Sequence, residues 1–357
     1  MLVKYLAAYA GPGALKRIRE QGLRPEAVDV IVGAAGGPKW LVLYGLDQAI
    51  FFSWRASVQS PLHLVGSSIG SWRFSALASG RSSYENLHYR YVHQRFPVRP
   101  TAEMVTREGD KILKTFLDAG GIGRILAHPS FRMNILTVRC RWPFSREDRY
   151  PLLGALFVVF VLNALNRRML SLFFTRTVFH DPRSEPPISS DGMFPPVTVP
   201  LEKRNFREAV IASGAIPVIM QGVRDIAGAE PGMYRDAGII DYHVDVPLKT
   251  GGVILYPHFM ERLIPGWFDK GLPWRKPDPD HLEHMLLLCP TNEFIKLLPY
   301  GRIPTRDDFR FFWQRDAERI ICWEQVVEQS RILGEEFLEA VARSDFHTHL
   351  RPMSMLM

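Results

Sequence analysis

The feature that most constrains this chain is a serine flanked by glycines where an apolar strand gives way to a helix. Residues 62–65 (Leu-His-Leu-Val) read as the end of a buried strand, and residues 66–70 (Gly-Ser-Ser-Ile-Gly) follow directly. In an elbow of this kind the backbone turns so sharply that the serine is strained, and glycines two residues to either side remove clashes with Cβ atoms. The pattern predicts that Ser68 is presented as a nucleophile and that Gly66 and Gly70 support the turn.

A glycine-rich loop precedes this elbow. The apolar strand at 28–32 runs into residues 33–40 (Gly-Ala-Ala-Gly-Gly-Pro-Lys-Trp), and Pro38 suits the first turn of a following helix. Consecutive glycines allow the amides of Gly36 and Gly37 to converge, and the helix dipole adds positive potential there. The loop therefore predicts an oxyanion cradle, although it fits neither common phosphate-loop pattern. A tight turn without chemistry is the alternative.

The two loops belong to one strand–helix–strand–helix unit. The carboxyl ends of neighbouring parallel strands meet at one edge of a sheet, which is where α/β proteins place their ligands. We therefore expect an α/β fold in which the Ser68 hydroxyl faces the glycine amides. Two later apolar runs, at 253–256 and 285–288, predict further buried strands and a sheet of about six.

Length and cysteine usage limit the class of protein. The chain has 357 residues, of which 46% are hydrophobic and 23% charged, as in an ordinary globular protein, and we expect one domain spanning residues 1–357. Its three cysteines are far apart and form no C-x-x-C pair, so a disulfide framework or zinc site is not expected. This usage predicts a reducing, cytoplasmic location.

The net charge of +7 suits an anionic partner, either lipid head groups or nucleic acid, and a merely basic surface is the alternative. We expect no nucleic-acid partner, because basic and aromatic residues form no stripe and zinc-finger spacing is absent. The acidic and histidine residues at 280–284 fit no standard metal-ligand spacing, so no metal is predicted. Nothing in the pattern calls for a cofactor.

Several segments have more than one interpretation. The apolar run 152–165 is shorter than the roughly 20 residues of a membrane span, so a buried helix is expected, with a membrane-docking surface and a true span as the alternatives. The aromatic and basic residues at 267–276 are expected to form a partly buried loop, with a membrane-interface patch as the alternative. Residues 120–123 (Gly-Gly-Ile-Gly) predict a turn, and residues 309–343 a long helix or helix pair.

Four blocks in the chain, taken together, resemble the patatin-like phospholipases. The blocks are Ala-Gly-Gly-Pro-Lys at 35–39, Gly-Ser-Ser-Ile-Gly at 66–70, Ala-Ser-Gly-Ala-Ile-Pro at 212–217 and Asp-Ala-Gly at 236–238. They occur in the family's order, and the 168 residues between Ser68 and Asp236 are typical of it. The matched core covers about 28–263, and a C-terminal strand and helical extension at 264–357 lie outside it.

The resemblance implies a three-layer αβα sandwich with a mostly parallel central sheet, and a Ser-Asp dyad without histidine. Ser68 would be the nucleophile and Asp236 the general base, while Gly36 and Gly37 would form the oxyanion hole. Lys39 would occupy the basic position of the family's G-G-G-x-[KR]-G loop, and Gly238 the last position of its D-G-[GA] motif. Three positions differ from these motifs: Ala35, Trp40 and Ala237 stand where the family has glycine.

The expected function is that of a serine lipid acyl hydrolase of phospholipase A or lysophospholipase type, which forms an acyl-serine on phospholipid or other lipid esters at the membrane periphery. A non-catalytic lipid-binding protein on the same fold is one alternative. An α/β-hydrolase esterase with a Ser-Asp-His triad is a second, and its histidine would be one of His243, His258, His281 and His284. An acyl-carrier-protein transacylase shares the elbow but usually has histidine at the position of Ser67.

Overall fold

A computed structural model describes residues 4–343 and 345–356, and the described chain contains an eleven-stranded sheet. The strands are β1 (Leu6–Ala10), β2 (Val28–Gly33), β3 (Leu62–Ser67), β4 (Phe131–Cys140), β5 (Phe174–His180), β6 (Val197–Pro200), β7 (Val223–Arg224), β8 (Met233–Asp236), β9 (Val253–Pro257), β10 (Met285–Pro290) and β11 (Arg351–Pro352). Their spatial order is β11-β1-β10-β9-β2-β3-β4-β5-β6, and β8 joins through β4 and carries β7. The central strands β10, β9, β2, β3 and β4 are parallel to one another.

Helices flank this mostly parallel sheet. The α-helices are α1 (Pro12–Gln21), α2 (Tyr44–Ala49), α3 (Ile69–Ser79), α4 (Arg81–His93), α5 (Ala102–Lys114), α6 (Ala119–Ala127), α7 (Arg149–Leu165), α8 (Phe206–Gly214), α9 (Asn292–Leu297), α10 (Asp308–Phe311) and α11 (Asp316–Val341). Short 3₁₀ segments extend several of them, including Gly37–Leu43 before α2 and Trp267–Gly271 after β9. The architecture is that expected of a three-layer α/β protein.

The C-terminal part of the chain packs into the same core as the N-terminal part. The largest cluster of buried apolar side chains extends from Leu6 to Met353. The long helix α11 lies against α2 so closely that a Cβ atom on Gly45 would sit 2.3 Å from the Ser330 carbonyl oxygen. The Gly45 amide donates to Ser330 Oγ at this contact, at 2.9 Å, so the absence of a side chain allows a direct link between the two helices.

The structure confirms the strands predicted around 28–32, 62–65, 253–256 and 285–288, and the helix pair over 309–343. The predicted count of about six strands is wrong, because β6, β7 and β11 are too short to leave a sequence signal. The predicted turn at 120–123 is also wrong. These glycines lie inside α6, where Asp118 caps the first turn by accepting from the Gly121 amide at 2.6 Å.

The expectation of a buried helix at 152–165 is wrong as well. Only Leu152, Val159 and Asn163 of α7 are buried, and they form one narrow stripe. Most of the other apolar side chains of this helix face solvent; Phe157 is 69% exposed and Leu165 78%. An amphipathic pattern was not visible because α7 is apolar nearly all round. The partly buried loop predicted at 267–276 is confirmed, since Phe268 is buried while Trp274 is exposed.

Candidate active site

The long strand β4 brings the two residues of the predicted dyad together. Strand β3 runs parallel to β4 and ends where Ser67 pairs with Leu136. Strand β8 runs antiparallel to β4 and ends where Asp236 pairs with Thr137, the next residue along. The two strands therefore approach each other end to end along one partner, and their last residues meet although 168 residues separate Ser68 from Asp236.

Ser68 occupies a strained elbow between β3 and α3. Its φ of 56° and ψ of −127° lie in a region that residues with side chains rarely adopt. The flanking glycines make the turn sterically accessible, since a Cβ on Gly66 would be 2.6 Å from the Ser71 nitrogen and one on Gly70 would be 2.1 Å from the Gly33 oxygen. Strain of this kind at a side chain facing a cavity is typical of a nucleophile elbow.

Ser68 and Asp236 are joined directly. Ser68 Oγ donates to Asp236 Oδ2 at 2.6 Å, and both side chains are 3% exposed. The other carboxylate oxygen accepts from the Gly238 amide at 2.7 Å, and a Cβ on Gly238 would lie 2.9 Å from that oxygen. Burial raises the pKa of Asp236 to about 6, while hydrogen bonds from Ser68 and Gly238 act in the opposite direction. A carboxylate of raised basicity next to a hydroxyl can accept its proton.

Ser213 holds the backbone of the elbow. The Ser68 amide donates to Ser213 Oγ at 3.0 Å, and Ser213 Oγ in turn donates to the Leu136 carbonyl at 2.7 Å. Ser71 Oγ lies 2.9 Å from Ser213 Oγ and donates to the Gly66 carbonyl at 2.7 Å. This buried network ties α8, α3 and β4 to the turn, so the Ser68 side chain is fixed toward Asp236.

The glycine loop lies beside the nucleophile as expected. Gly37 and Ser68 line the same cavity, and Gly37 has a φ of +56° that favours glycine. Within residues 4–343 and 345–356, the amides of Gly36 and Gly37 donate no hydrogen bond to the protein. Amides without a protein acceptor next to a nucleophile are suited to hold an oxyanion. Trp40, which stands in place of the last glycine of the loop motif, is buried in the core, where its ring packs edge-on against Tyr84 and Tyr91.

The cavity at Ser68 is mostly apolar and has a volume of about 260 Å³. Its walls include Trp72, Ile112, Met220 and Phe309. The indole of Trp72 is fixed by donating to the Val210 carbonyl at 2.9 Å. The lining suits an acyl chain more than a polar group. A second, much smaller cavity is lined by Asp236, Tyr242 and Trp267 and shares Ile216 and Arg306 with the first.

Three cationic side chains surround this part of the molecule. Arg306 lines both cavities, and a Cβ on Gly37 would be 2.9 Å from its Nε. Lys270 Nζ lies 4.0 Å from the centroid of the Tyr242 ring, and Lys39 Nζ lies 4.9 Å from that of Phe259. Burial and the charge of Arg306 lower the pKa of Lys39. Burial, Arg306 and Lys39 lower the pKa of Lys270 to about 7, although part of its side chain is exposed.

No histidine joins the dyad in the described part of the chain. His243 Nδ1 accepts from the Ile264 amide at 2.9 Å, and His258 Nδ1 is within hydrogen-bond distance of the Met260 backbone. His281 pairs with Asp245 at 2.8 Å, and His284 lies on the surface. None of the four bonds to Ser68 or Asp236, so the arrangement differs from a Ser-Asp-His triad.

The structure joins Ser68, Asp236 and Gly238 by hydrogen bonds, places Gly66 and Gly70 at the elbow, and puts Gly37 in the wall of the Ser68 cavity. Gly36 and Lys39 are not among the residues that line the two cavities described, and the structure adds other residues to the site. Ser213, Lys270 and Arg306 were missed as site residues; only Ser213 had a signal, because it lies in one of the four sequence blocks. Among residues 4–343 and 345–356, no group of three or more histidine, cysteine or acidic side chains is placed to hold a metal ion. In the same ranges, no helix combines the length and the apolar character that a membrane crossing requires.

A scan against protein-family models found no match, and a search of curated proteins found no similar sequence.

Proposed function

We propose that the protein is a serine carboxylic ester hydrolase that acts on lipid esters through the Ser68–Asp236 dyad. The observation that carries the proposal is the 2.6 Å hydrogen bond between a strained, buried serine and a buried carboxylate with a pKa of about 6. The glycine loop with free amides and the apolar cavity support it. The fold supports a patatin-like αβα sandwich, in agreement with the four sequence blocks.

The dyad suggests a two-step mechanism. Ser68 Oγ attacks the ester carbonyl carbon as its proton passes to Asp236 Oδ2, and the amides of Gly36 and Gly37 bind the resulting oxyanion. When the tetrahedral intermediate collapses, Asp236 gives the proton to the departing alkoxide. Water then attacks the acyl-serine with Asp236 as base, and the carboxylic acid and free Ser68 are released.

The lining of the cavity points to the acyl part of the substrate. Trp72, Ile112 and Phe309 offer contacts to a hydrocarbon chain directly beside Ser68. A phospholipase A or lysophospholipase activity, implied by the resemblance, is the specific form we propose.

The three cysteines Cys140, Cys289 and Cys322 are buried and unpaired, which fits a reducing, cytoplasmic compartment.

We also propose that the enzyme contacts a membrane surface peripherally through α7. Its outward apolar side chains are exposed, as are Trp142 in the segment before the helix and Trp274, which are 73% and 64% exposed. Arg275 Nη2 donates to the Asn163 carbonyl at 2.7 Å, so Trp274 lies next to the end of the helix. Exposed apolar residues combined with aromatic side chains are typical of interfacial surfaces.

Exposed basic residues flank α7 and Trp274 in the sequence, and they favour an anionic bilayer as the partner of the apolar face. They are Arg141, Arg146, Arg149, Arg168 and Lys276, and the exposed carboxylates Glu147 and Asp148 come just before the helix. The buried side of the same helix packs toward the active site. Leu152 and Val159 share a buried cluster with Val218, which lines the Ser68 cavity. Docking through α7 would therefore place the cavity close to the lipid.

Turnover of p-nitrophenyl esters by matched serine variants tests the proposed reaction. We expect wild-type protein and Ser67→Ala to hydrolyse the butyrate and octanoate esters, because Ser67 Oγ has no hydrogen-bond partner in the described structure. Ser68→Ala should lose activity to the buffer background. Equal turnover by Ser68→Ala and wild type would refute the proposal. Binding of the esters without turnover by any variant would favour the non-catalytic lipid-binding alternative.

A further inference from the structure

The charges around the dyad are unbalanced. Within residues 4–343 and 345–356, Lys39, Lys270 and Arg306 form no ion pair and donate no side-chain hydrogen bond. The negative charge of Asp236 raises the pKa of Lys270, but the Asp236 oxygens already accept hydrogen bonds from Ser68 and the Gly238 amide. Three cations therefore lie near the dyad, whose carboxylate is already hydrogen-bonded to Ser68 and Gly238.

Aromatic rings, and no carboxylates, hold the two lysines. The ammonium of Lys270 lies over Tyr242 and is 5.7 Å from the Trp267 ring centroid, while that of Lys39 lies over Phe259. Cation–π contacts orient an ammonium but leave its charge uncompensated. Burial is the main cause of the lowered pKa values of both lysines, and the positive charge of Arg306 lowers them further. A ligand with negative charge would reduce the repulsion between these cations.

Arg306 is placed between the two parts of the site. It lines the apolar cavity together with Ser68, and it lines the smaller cavity together with Asp236, Tyr242 and Trp267. If the acyl chain fills the large cavity, the alcohol part of an ester bound at Ser68 lies outside that cavity. Arg306 is then at the boundary between the two parts of the substrate, because it lines the cavity wall beside Ser68 and also contacts the space beside Asp236.

We propose that Arg306, Lys270 and Lys39 form a subsite for an anionic group, a phosphate or a carboxylate, on the alcohol part of the substrate. The inference rests on the proposed acyl-hydrolase function, since the position of the ester defines which side the anion occupies. Arginine and lysine both bind such groups by charge-assisted hydrogen bonds, and arginine offers a planar pair of donors.

The test compares three soluble esters that share one acyl chain. These are the hexanoyl esters of glycerol, glycerol 3-phosphate and glyceric acid, which separate a neutral alcohol from a phosphate and from a carboxylate. We expect wild type to show a higher kcat/KM for at least one anionic ester than for the glycerol ester. Arg306→Gln and Lys270→Gln should each lower that ratio about tenfold or more, as expected for the loss of a charge-assisted hydrogen bond.

Matched variants control for a general change of charge. Arg310→Gln and Lys296→Gln remove the same charges from exposed positions outside the site, and the ratio should stay within about twofold. If Arg306→Gln lowers kcat/KM equally for neutral and anionic esters, the cations serve the oxyanion common to all esters and the subsite proposal is wrong. It is also wrong if wild type shows no preference for either anionic ester.

A binding measurement separates failure of this inference from failure of the proposed function. Calorimetry with hexyl phosphate, hexanoate and hexanol needs no turnover. If no ester is hydrolysed but hexyl phosphate or hexanoate binds more tightly than hexanol, and Arg306→Gln removes that difference, the hydrolase proposal fails and the anion subsite stands. If no ester is hydrolysed and wild type binds all three equally, both proposals are overturned.

Discussion

The Ser68–Asp236 site and the helix α7 break the ordinary rules of a folded protein in opposite ways. At the dyad, polar and charged groups are buried beside a strained backbone, whereas α7 exposes large apolar side chains to solvent. Both arrangements are unfavourable for folding alone. The difference is that each group at the dyad has a partner within the protein, while the outer face of α7 has none in the described chain.

This contrast indicates where the partner of each region lies. The dyad is complete within the protein, so its chemistry should depend on single atoms and should be lost when one of them changes. The face of α7 needs a partner of large area, so its contribution should be spread over several side chains. The expected effects of substitutions therefore differ greatly in size between the two regions.

The largest effect is expected from Asp236→Asn. Asparagine keeps the shape of the side chain but cannot accept the Ser68 proton, so kcat/KM for p-nitrophenyl butyrate should fall by about 10³-fold, within the range found for general bases. Stopped assays at pH 7.5 on folded protein, verified by circular dichroism, measure this. A loss smaller than about fivefold would show that another group acts as the base.

A smaller loss is expected when the oxyanion loop is disturbed. Gly37→Ala places a Cβ at a φ of +56°, which strains the loop, and 2.9 Å from Arg306 Nε, which must move away, so kcat/KM should fall by about 10²-fold. Gly123→Ala is the matched control, because it lies in α6 and its Cβ would meet no atom within 4 Å. That variant should keep full activity and unfold at a slightly higher temperature. Similar activity in both variants would argue against an oxyanion role for the loop.

Substitutions on α7 should weaken membrane binding by about ten- to a hundredfold without changing the chemistry. Phe157→Ser with Leu165→Ser removes two exposed apolar side chains, each of which would contribute about 1.5 to 3 kcal/mol if fully buried. Partial insertion at the membrane interface reduces the contribution of the pair to about 1.4 to 2.8 kcal/mol, which corresponds to ten- to a hundredfold. Sedimentation with vesicles of phosphatidylglycerol and phosphatidylcholine measures the partition coefficient, and hydrolysis of p-nitrophenyl butyrate should be unaffected. The control Ile321→Ser changes an equally exposed residue on α11. Unchanged partitioning of the α7 variant would exclude this face as the docking surface.

The pH profile gives the most gradual test. The pKa of Asp236 is raised to about 6 by burial, and only its ionised form accepts a proton. The value of kcat/KM should therefore rise with pH and level off above pH 6, falling about tenfold per unit below it. A small addition of organic solvent should shift this limb to higher pH, because the carboxyl is a neutral acid. No shift would indicate a cationic acid such as imidazolium.

The parts of the site that sequence predicted best are those encoded over a few residues. The glycines around Ser68 follow from local geometry, and the structure confirms the elbow that they predict. Asp236 was found through its motif, but the pairing of β3 and β8 on one strand, which creates the dyad, depends on long-range register. Arg306 and Lys270 could not be predicted, because they lie outside the matched core and reach the site only through the fold.

The misreading of α7 has a physical reason of its own. A run of apolar residues predicts burial when the rest of the chain offers enough surface to cover it. Here only Leu152, Val159 and Asn163 are buried against the rest of the protein, and most of the remaining side chains of α7 face solvent. Sequence hydrophobicity shows that water is disfavoured around α7, but it does not show whether protein or lipid replaces it.

The most direct test of the account is mass spectrometry of the protein after reaction with a fluorophosphonate. A nucleophilic serine forms a covalent phosphonyl adduct, and peptide mapping identifies the modified residue. The account expects one adduct on Ser68, at a rate that falls about a hundredfold or more in Asp236→Asn and is unchanged in His243→Gln and His258→Gln. An adduct on another residue, or labelling of Ser68 that requires a histidine and not Asp236, would contradict it.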